Sequence, residues 1–212
     1  MNSASSGLPA ALVLAKYWEI GPVKTRLAAD LGQESARAIY RDMVHKLWCG
    51  LEHTALQRHL WVAQAETEEA CRQWLPGATH THSQPEGDLT PRLQMAFQQA
   101  FAREPELPWA AVLGTDCPAL DAAFLLQAGK HLDRAEVVLT PTFDGGYALL
   151  ALRQPQPQLF EDMPWSTPEV LPTTLHRAAE LGLSVFQTQT LRDLDDIHDY
   201  RLLQAEGLLP QA

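Results

Sequence analysis

Short apolar runs alternate along this chain with longer stretches in which apolar residues return every three or four positions. Ala10–Ala15 reads as a first strand, and residues 34–51 as a helix with Ala36, Tyr40, Met43, Leu47 and Leu51 at helical spacing. Residues 60–63 are strand-like, 66–74 helical, and 78–82 a short strand. The next helix opens at Thr90-Pro91, a hydroxyl cap with proline in the first turn, and sets Leu93, Phe97 and Phe101 on one face. Then come a strand at 110–114, a helix at 122–131 and strands at 137–140 and 147–152. A helix over 168–181 takes its cap from Ser166 or Thr167, with Glu169 at capping-box spacing from Ser166 and Gly182 as its stop. A strand at 184–188 and a helix at 195–205 close the series.

Alternation of strand and helix predicts an α/β fold: a mostly parallel sheet flanked by helices on both faces. The strands at 137–140 and 147–152, joined by a turn, predict an antiparallel element within it. With 212 residues and 46% hydrophobic content, the chain suits a single domain over 1–212. Its formal charge of -10 argues against a nucleic-acid partner, which would need many cations to neutralise phosphates. No apolar run approaches the roughly 18 residues of a membrane span. Residues 1–7 lack the positive region of a secretory leader, and the apolar stretch behind them runs straight into Lys16. Cys49, Cys71 and Cys117 are widely spaced, which predicts reduced thiols and a cytoplasmic setting.

Three loops carry candidate chemistry. The run Val112 to Leu120 leads an apolar strand into a lone carboxylate, Asp116, followed by a proline turn. An acid at the mouth of an open sheet suits a hard cation such as Mg²⁺ or Mn²⁺. Lys16, Lys24 and Arg26 concentrate positive charge just after the first strand. They read either as a solvated basic loop or as a grip on a diphosphate, although the spacing of a Walker P-loop is missing. Asp144-Gly145-Gly146 reads as a tight turn, or as a place where backbone approaches a ligand and the acid meets a hydroxyl or a metal. Asp195, in the acidic run 193–196, is a candidate second ligand facing Asp116. Trp165 is a packing residue or a stacking surface for a sugar or acceptor. Cys117 reads as a small buried thiol. His80 and His82 share a strand face without a third ligand at zinc spacing.

Six segments in order resemble a family of small bacterial GT-A-like nucleotide-diphospho-sugar transferases, described as radical-SAM/selenodomain-associated. They are Ala15-Lys16 through Val23-Lys24-Thr25-Arg26-Leu27, Gln84 through Gly87-Asp88-Leu89, Gly114 through Leu120, Pro141 through Leu150, Leu159-Phe160 with Trp165-Ser166-Thr167, and Asp193 through Asp199. The resemblance implies a Rossmann-like GT-A fold and a metal-dependent transferase acting on a nucleotide-diphospho-sugar. It assigns substrate contacts to Lys16, Lys24, Arg26, Gly145, Gly146, Trp165, Ser166 and Thr167, catalysis to Asp144 and Asp116, and Mg²⁺ or Mn²⁺ to Asp116 and Asp195. It also implies a small-molecule acceptor and leaves a homodimer open. Two other readings stand beside it: a nucleotidyltransferase that uses an NTP and releases pyrophosphate, and a non-catalytic nucleotide-sugar binder. Trp18 replaces a family proline, Pro85 and Thr90 replace glycines, Asp196 replaces a threonine, and Ala151 stands where glycine is usual. The lost glycines around 85–90 predict an altered backbone path near the ligand.

Overall fold

Six consecutive small or branched apolar residues let Ala10–Ala15 be covered on both faces, and they form β1, an interior strand of the sheet. A computed structural model describes residues 7–210; residues 1–6, most of the segment read as lacking a leader, lie outside it, as do 211–212. After β1 come α1 (Thr25–Leu31), α2 (Gln33–Gly50), β2 (Gln57–Val62), α3 (Glu68–Trp74), β3 (His80–Ser83) and α4 (Leu89–Arg103). They are followed by β4 (Ala110–Leu113), α5 (Ala122–Gly129), β5 (Val137–Pro141), β6 (Tyr147–Leu152), α6 (Val170–Glu180), β7 (Val185–Gln187) and α7 (Ile197–Ala205).

The strands form one seven-stranded sheet in the order β3-β2-β1-β4-β6-β5-β7. Only β6 runs against its neighbours, pairing antiparallel with both β4 and β5. The expected antiparallel element is therefore present, inserted inside the sheet. One core, containing Trp48, Leu60 and Leu125, fills one face, and a second around Phe97, Leu139 and Phe160 fills the other. A smaller cluster of Leu27, Met43, Leu194 and Leu203 joins α1, α2 and α7. Because the parallel strands all point one way, the segments after β1, β4, β5 and β7 meet at one edge, and these carry the charged motifs.

Several local expectations are corrected. β2 begins at Gln57, because Arg58 and His59 are buried polar residues that hid the strand from an apolar pattern. Arg58 lies over the Trp48 ring at 5.1 Å, and His59 meets Gln57 Oε1 at 3.3 Å. The seven-residue α1, read as loop, buries only Leu27 and has no amphipathic stripe to announce it. Asp88, not Thr90, caps α4 by accepting from Thr90 N. No capping box starts α6: Ser166 has φ 63, Thr167 Oγ1 donates to the Pro164 carbonyl, and the helix begins at Val170. Gly182 does stop it, with φ 69. The capping box falls instead at α7, where Asp196 accepts from the N–H groups of His198 and Asp199. Asp196 thus does a cap's work where a threonine was expected.

Candidate functional site

Lys24 sits in the left-handed region at φ 49, immediately before α1, and this turn aims its side chain inward. The side chain is only 6% exposed; its Nζ lies 2.6 Å from Asp116 Oδ1 and 4.0 Å from Asp195 Oδ1, and donates to the Leu194 carbonyl. A buried ammonium is costly without such partners. Arg26 reaches Asp195 Oδ2 at 3.5 Å but is 77% exposed, so its head remains available to a ligand. Lys16 Nζ donates to the Pro22 carbonyl at 2.9 Å, folding the loop on itself. Tyr40 pins the same loop: its hydroxyl accepts from Lys16 N and donates to the Lys16 carbonyl, and burial pushes its phenol up to about 12. Lys16, Lys24, Arg26 and Arg92 line a cleft of about 490 Å³ together with Asp116 and Asp195.

An adjoining cavity of about 300 Å³ shares Asp116 and Asp195 with the first and adds Asp144 and Asp193. Ligand oxygens of Asp144, Asp193 and Asp195 lie within 4.8 Å of one another. Burial, followed by the charge of Asp144, pushes the Asp193 carboxyl up to about 6. Asp195 is also raised, mainly by burial, against the opposing pull of Lys24. Carboxylates crowded this way are stabilised by a hard cation, and an all-oxygen donor set suits Mg²⁺ or Mn²⁺. Asp144 is fixed by two bonds to one oxygen: Thr142 Oγ1 donates to Oδ1 at 2.5 Å and Gly146 N at 2.9 Å. Oδ2 is then the atom that can serve a ligand.

The rest of this cavity is walled by Trp165, Ser166, Thr167 and Gly146. Trp165 Nε1 donates to Thr90 Oγ1 at 2.8 Å, and Thr90 Oγ1 donates to the Phe160 carbonyl at 2.9 Å. The hydroxyl standing where a glycine was expected is therefore a bracket for the tryptophan. Gly145, at φ 89, lines neither cavity; a Cβ there would lie 2.5 Å from the backbone of Pro168. The close approach it permits is to this second loop, not to a ligand. Cys117 is buried, donates to the Arg192 carbonyl at 3.3 Å, and has its thiol pushed up to about 11 by burial. That is the environment of an inert thiol.

Of the residues singled out in the sequence, Lys16, Lys24, Arg26, Asp116 and Asp195 share the first cleft. Asp116, Asp144, Gly146, Trp165, Ser166, Thr167 and Asp195 share the second. Asp116 is held by Lys24 rather than placed within the three-carboxylate group. Asp193, Arg92 and Thr90 were not expected at the site. Asp193 belonged to the acidic run 193–196, and Thr90 and Arg92 lie just past the Gln84–Leu89 segment, so nearness to a motif was their only signal. His59 joins His80 and His82 across β2 and β3, with ring centroids 4.8 and 6.0 Å from it. Among the described residues, the group whose ligand atoms converge is the acidic one.

A parallel-dominated sheet with one reversed interior strand, flanked by helices, is the Rossmann-like α/β fold of nucleotide-diphospho-sugar transferase structures. The chain belongs to the bacterial family described as uncharacterized proteins conserved in bacteria (DUF2064), whose model matches residues 50–167. It is 27% identical, with a TM-score of 0.86, to a protein from Desulfovibrio desulfuricans G20 provisionally named a nucleotide-diphospho-sugar transferase, over 93% of this chain and 86% of that one. Rv0371c of Mycobacterium tuberculosis H37Rv, solved in complex with manganese, shares the fold at 17% identity and a TM-score of 0.53, over 93% of this chain and 97% of that one. So does the inositol-1-phosphate CTP transferase of T. maritima, at 14% identity and 0.56, over 93% and 96%. No curated protein matches the chain.

Proposed function

We propose that this chain is a divalent-metal-dependent transferase acting on a nucleotide-diphospho-sugar. The observation that carries the reading is the division of one continuous site into a cationic cleft and a carboxylate-lined cavity that share Asp116 and Asp195. Lys24, Arg26, Lys16 and Arg92 bind the donor's diphosphate. Asp193 and Asp195 would hold Mg²⁺ or Mn²⁺, with Asp116 beside them and Asp144 Oδ2 left free, and the ion would supply charge stabilisation for the departing diphosphate. Asp144 Oδ2 accepts the proton of an acceptor hydroxyl as its oxygen bonds to the anomeric carbon. The bond from that carbon to the phosphate oxygen breaks, and the nucleoside diphosphate leaves among the cationic side chains. Trp165 closes the acceptor side.

A thermal-shift screen of nucleoside diphosphates and nucleotide sugars, with and without Mn²⁺, tests this directly, since ligands of the folded state raise its apparent stability. Nucleoside diphosphates should stabilise the protein more in the presence of Mn²⁺ than in its absence. Equal stabilisation in both conditions would count against the metal. The fold shared with the inositol-1-phosphate CTP transferase favours a second reading, transfer of a nucleotidyl group from an NTP. Pyrophosphate release from an NTP, without nucleoside diphosphate release from any nucleotide sugar, would select it.

A further inference from the structure

We infer that the co-substrate entering the carboxylate-lined cavity carries no phosphate or carboxylate: it is a neutral polyol or sugar, or an amine, that presents hydrogen-bond donors. The inference rests on the reading of the two cavities as one transferase site, and it concerns the acceptor's charge.

The lining of the second cavity contains four aspartates and, among the described residues, no lysine, arginine or histidine. Lys24 and Arg26 offset Asp116 and Asp195 from the side of the first cleft. Among the described residues, no cationic side chain comes within 4.0 Å of Asp144 or Asp193. The nearby Arg192 is turned away: it pairs with Asp199 at 3.5 Å and Glu206 at 3.6 Å, and lies over the Phe143 ring at 4.7 Å. A divalent cation in the acidic group would be shared with the donor's own diphosphate, so it would not leave a net positive field for a second anion. An anionic acceptor would meet uncompensated carboxylates at short range, an arrangement interfaces use to reject partners.

The remaining wall is chemically matched to hydroxyls. Ser166 and Thr167 are exposed at its rim, and the Trp165 ring offers an apolar face whose N–H is already satisfied by Thr90. This bracket holds the ring in place before any ligand arrives.

The test uses the full chain with Mn²⁺ and matched acceptors: glycerol and glycerol 3-phosphate, glucose and glucose 6-phosphate, ethanolamine and phosphoethanolamine. Donors are a panel of nucleotide sugars, read by nucleoside diphosphate release, and the four NTPs, read by pyrophosphate release. The unphosphorylated member should raise turnover roughly tenfold or more above its phosphorylated partner, in whichever donor arm is active. The polyol and amine pairs separate the two sources of the donor groups. Thr167→Arg, one added cation at the rim, should narrow that gap. Equal rates, or faster rates with the phosphorylated member, overturn the inference. Activity confined to the NTP arm overturns the sugar-transfer reading alone.

Binding gives a readout without turnover. With the cationic cleft filled by saturating inorganic pyrophosphate, saturation-transfer NMR should detect glycerol, glucose or ethanolamine and lose the signal in Trp165→Ala. Signals from the phosphorylated partners only, or from none of the six compounds, overturn the inference.

Discussion

Lys24 Nζ stands 2.6 Å from Asp116 Oδ1, so the first basic loop and the acidic turn after β4 are held together by an ion pair between a nearly buried ammonium and a half-exposed carboxylate. The same ammonium also bonds the Leu194 carbonyl, which adds the acidic segment after β7. One side chain thus ties together three segments that are far apart in the sequence. In this position it is both a counter-charge for the carboxylates and a ready donor to a phosphate.

Lys24→Ala should weaken nucleoside diphosphates roughly tenfold or more, the value of a charge-assisted hydrogen bond, while nucleosides lose little. Calorimetry with matched diphosphate and nucleoside pairs reads the difference. Equal losses for both would remove the lysine from the phosphate.

Asp193→Asn should lower Mn²⁺ affinity of the nucleotide-free protein by roughly tenfold or more, because it removes one charged oxygen donor from a group of three. The fold should persist, since relieving a carboxyl raised by burial costs the folded state nothing in charge. Titration with Mn²⁺ followed by electron paramagnetic resonance checks the first point and circular dichroism the second. Unchanged Mn²⁺ affinity would place the ion elsewhere.

Thr90→Val removes the acceptor for Trp165 Nε1 and the donor to the Phe160 carbonyl in one step. The expected loss is about 1–3 kcal/mol of stability, the cost of leaving polar groups unpaired. Urea unfolding should show it as a lowered midpoint with an unchanged slope. A midpoint equal to that of the parent chain would mean that the bracket contributes nothing.

Gly145→Ala should be more damaging to activity than its size suggests. The added Cβ meets the Pro168 backbone at 2.5 Å, at a φ of 89 that disfavours a side chain. The turn must move, and Asp144 moves with it. Turnover should fall well before the protein unfolds, and a crystal structure of the variant should show the 142–146 turn displaced from the 164–168 loop. An undisplaced turn would contradict the argument.

Acid should destabilise the protein through β2. Burial, then the neighbouring His80 and His82, hold the fully buried His59 down at about 3, and burial with Arg103 holds His82 at about 4. An unfolded imidazole protonates near 6.5, so between about 6.5 and 3 His59 holds its proton in the unfolded chain but not in the folded one. Stability therefore falls as pH drops through that window, by at most about 1.4 kcal/mol per pH unit from His59. His59→Asn should flatten that slope in urea midpoints measured from pH 7 to pH 4. An identical slope in the variant would assign the acid sensitivity to other groups.

Two strands were legible to the residue, Ala10–Ala15 and Tyr147–Leu152, because apolar runs carried their burial in their composition. α2 and α4 were legible from apolar residues at helical spacing, and Asp116 and Asp144 from lying where an apolar run ends in a turn. The start of β2 and the short α1 were not, because Arg58 and His59 are buried by partners from other elements and α1 rests on one buried leucine. The motifs likewise named Lys24, Asp116, Asp144 and Asp195 without saying how they pair. Local sequence encodes propensity and periodicity; it does not encode which distant carboxylate an ammonium meets. Only the common direction of the parallel strands brought those loops to one edge. There, Coulomb attraction joined Lys24 to Asp116, the chain path set Asp193 beside Asp144 and Asp195 against their mutual repulsion, and a hydrogen bond made Thr90 the support for Trp165.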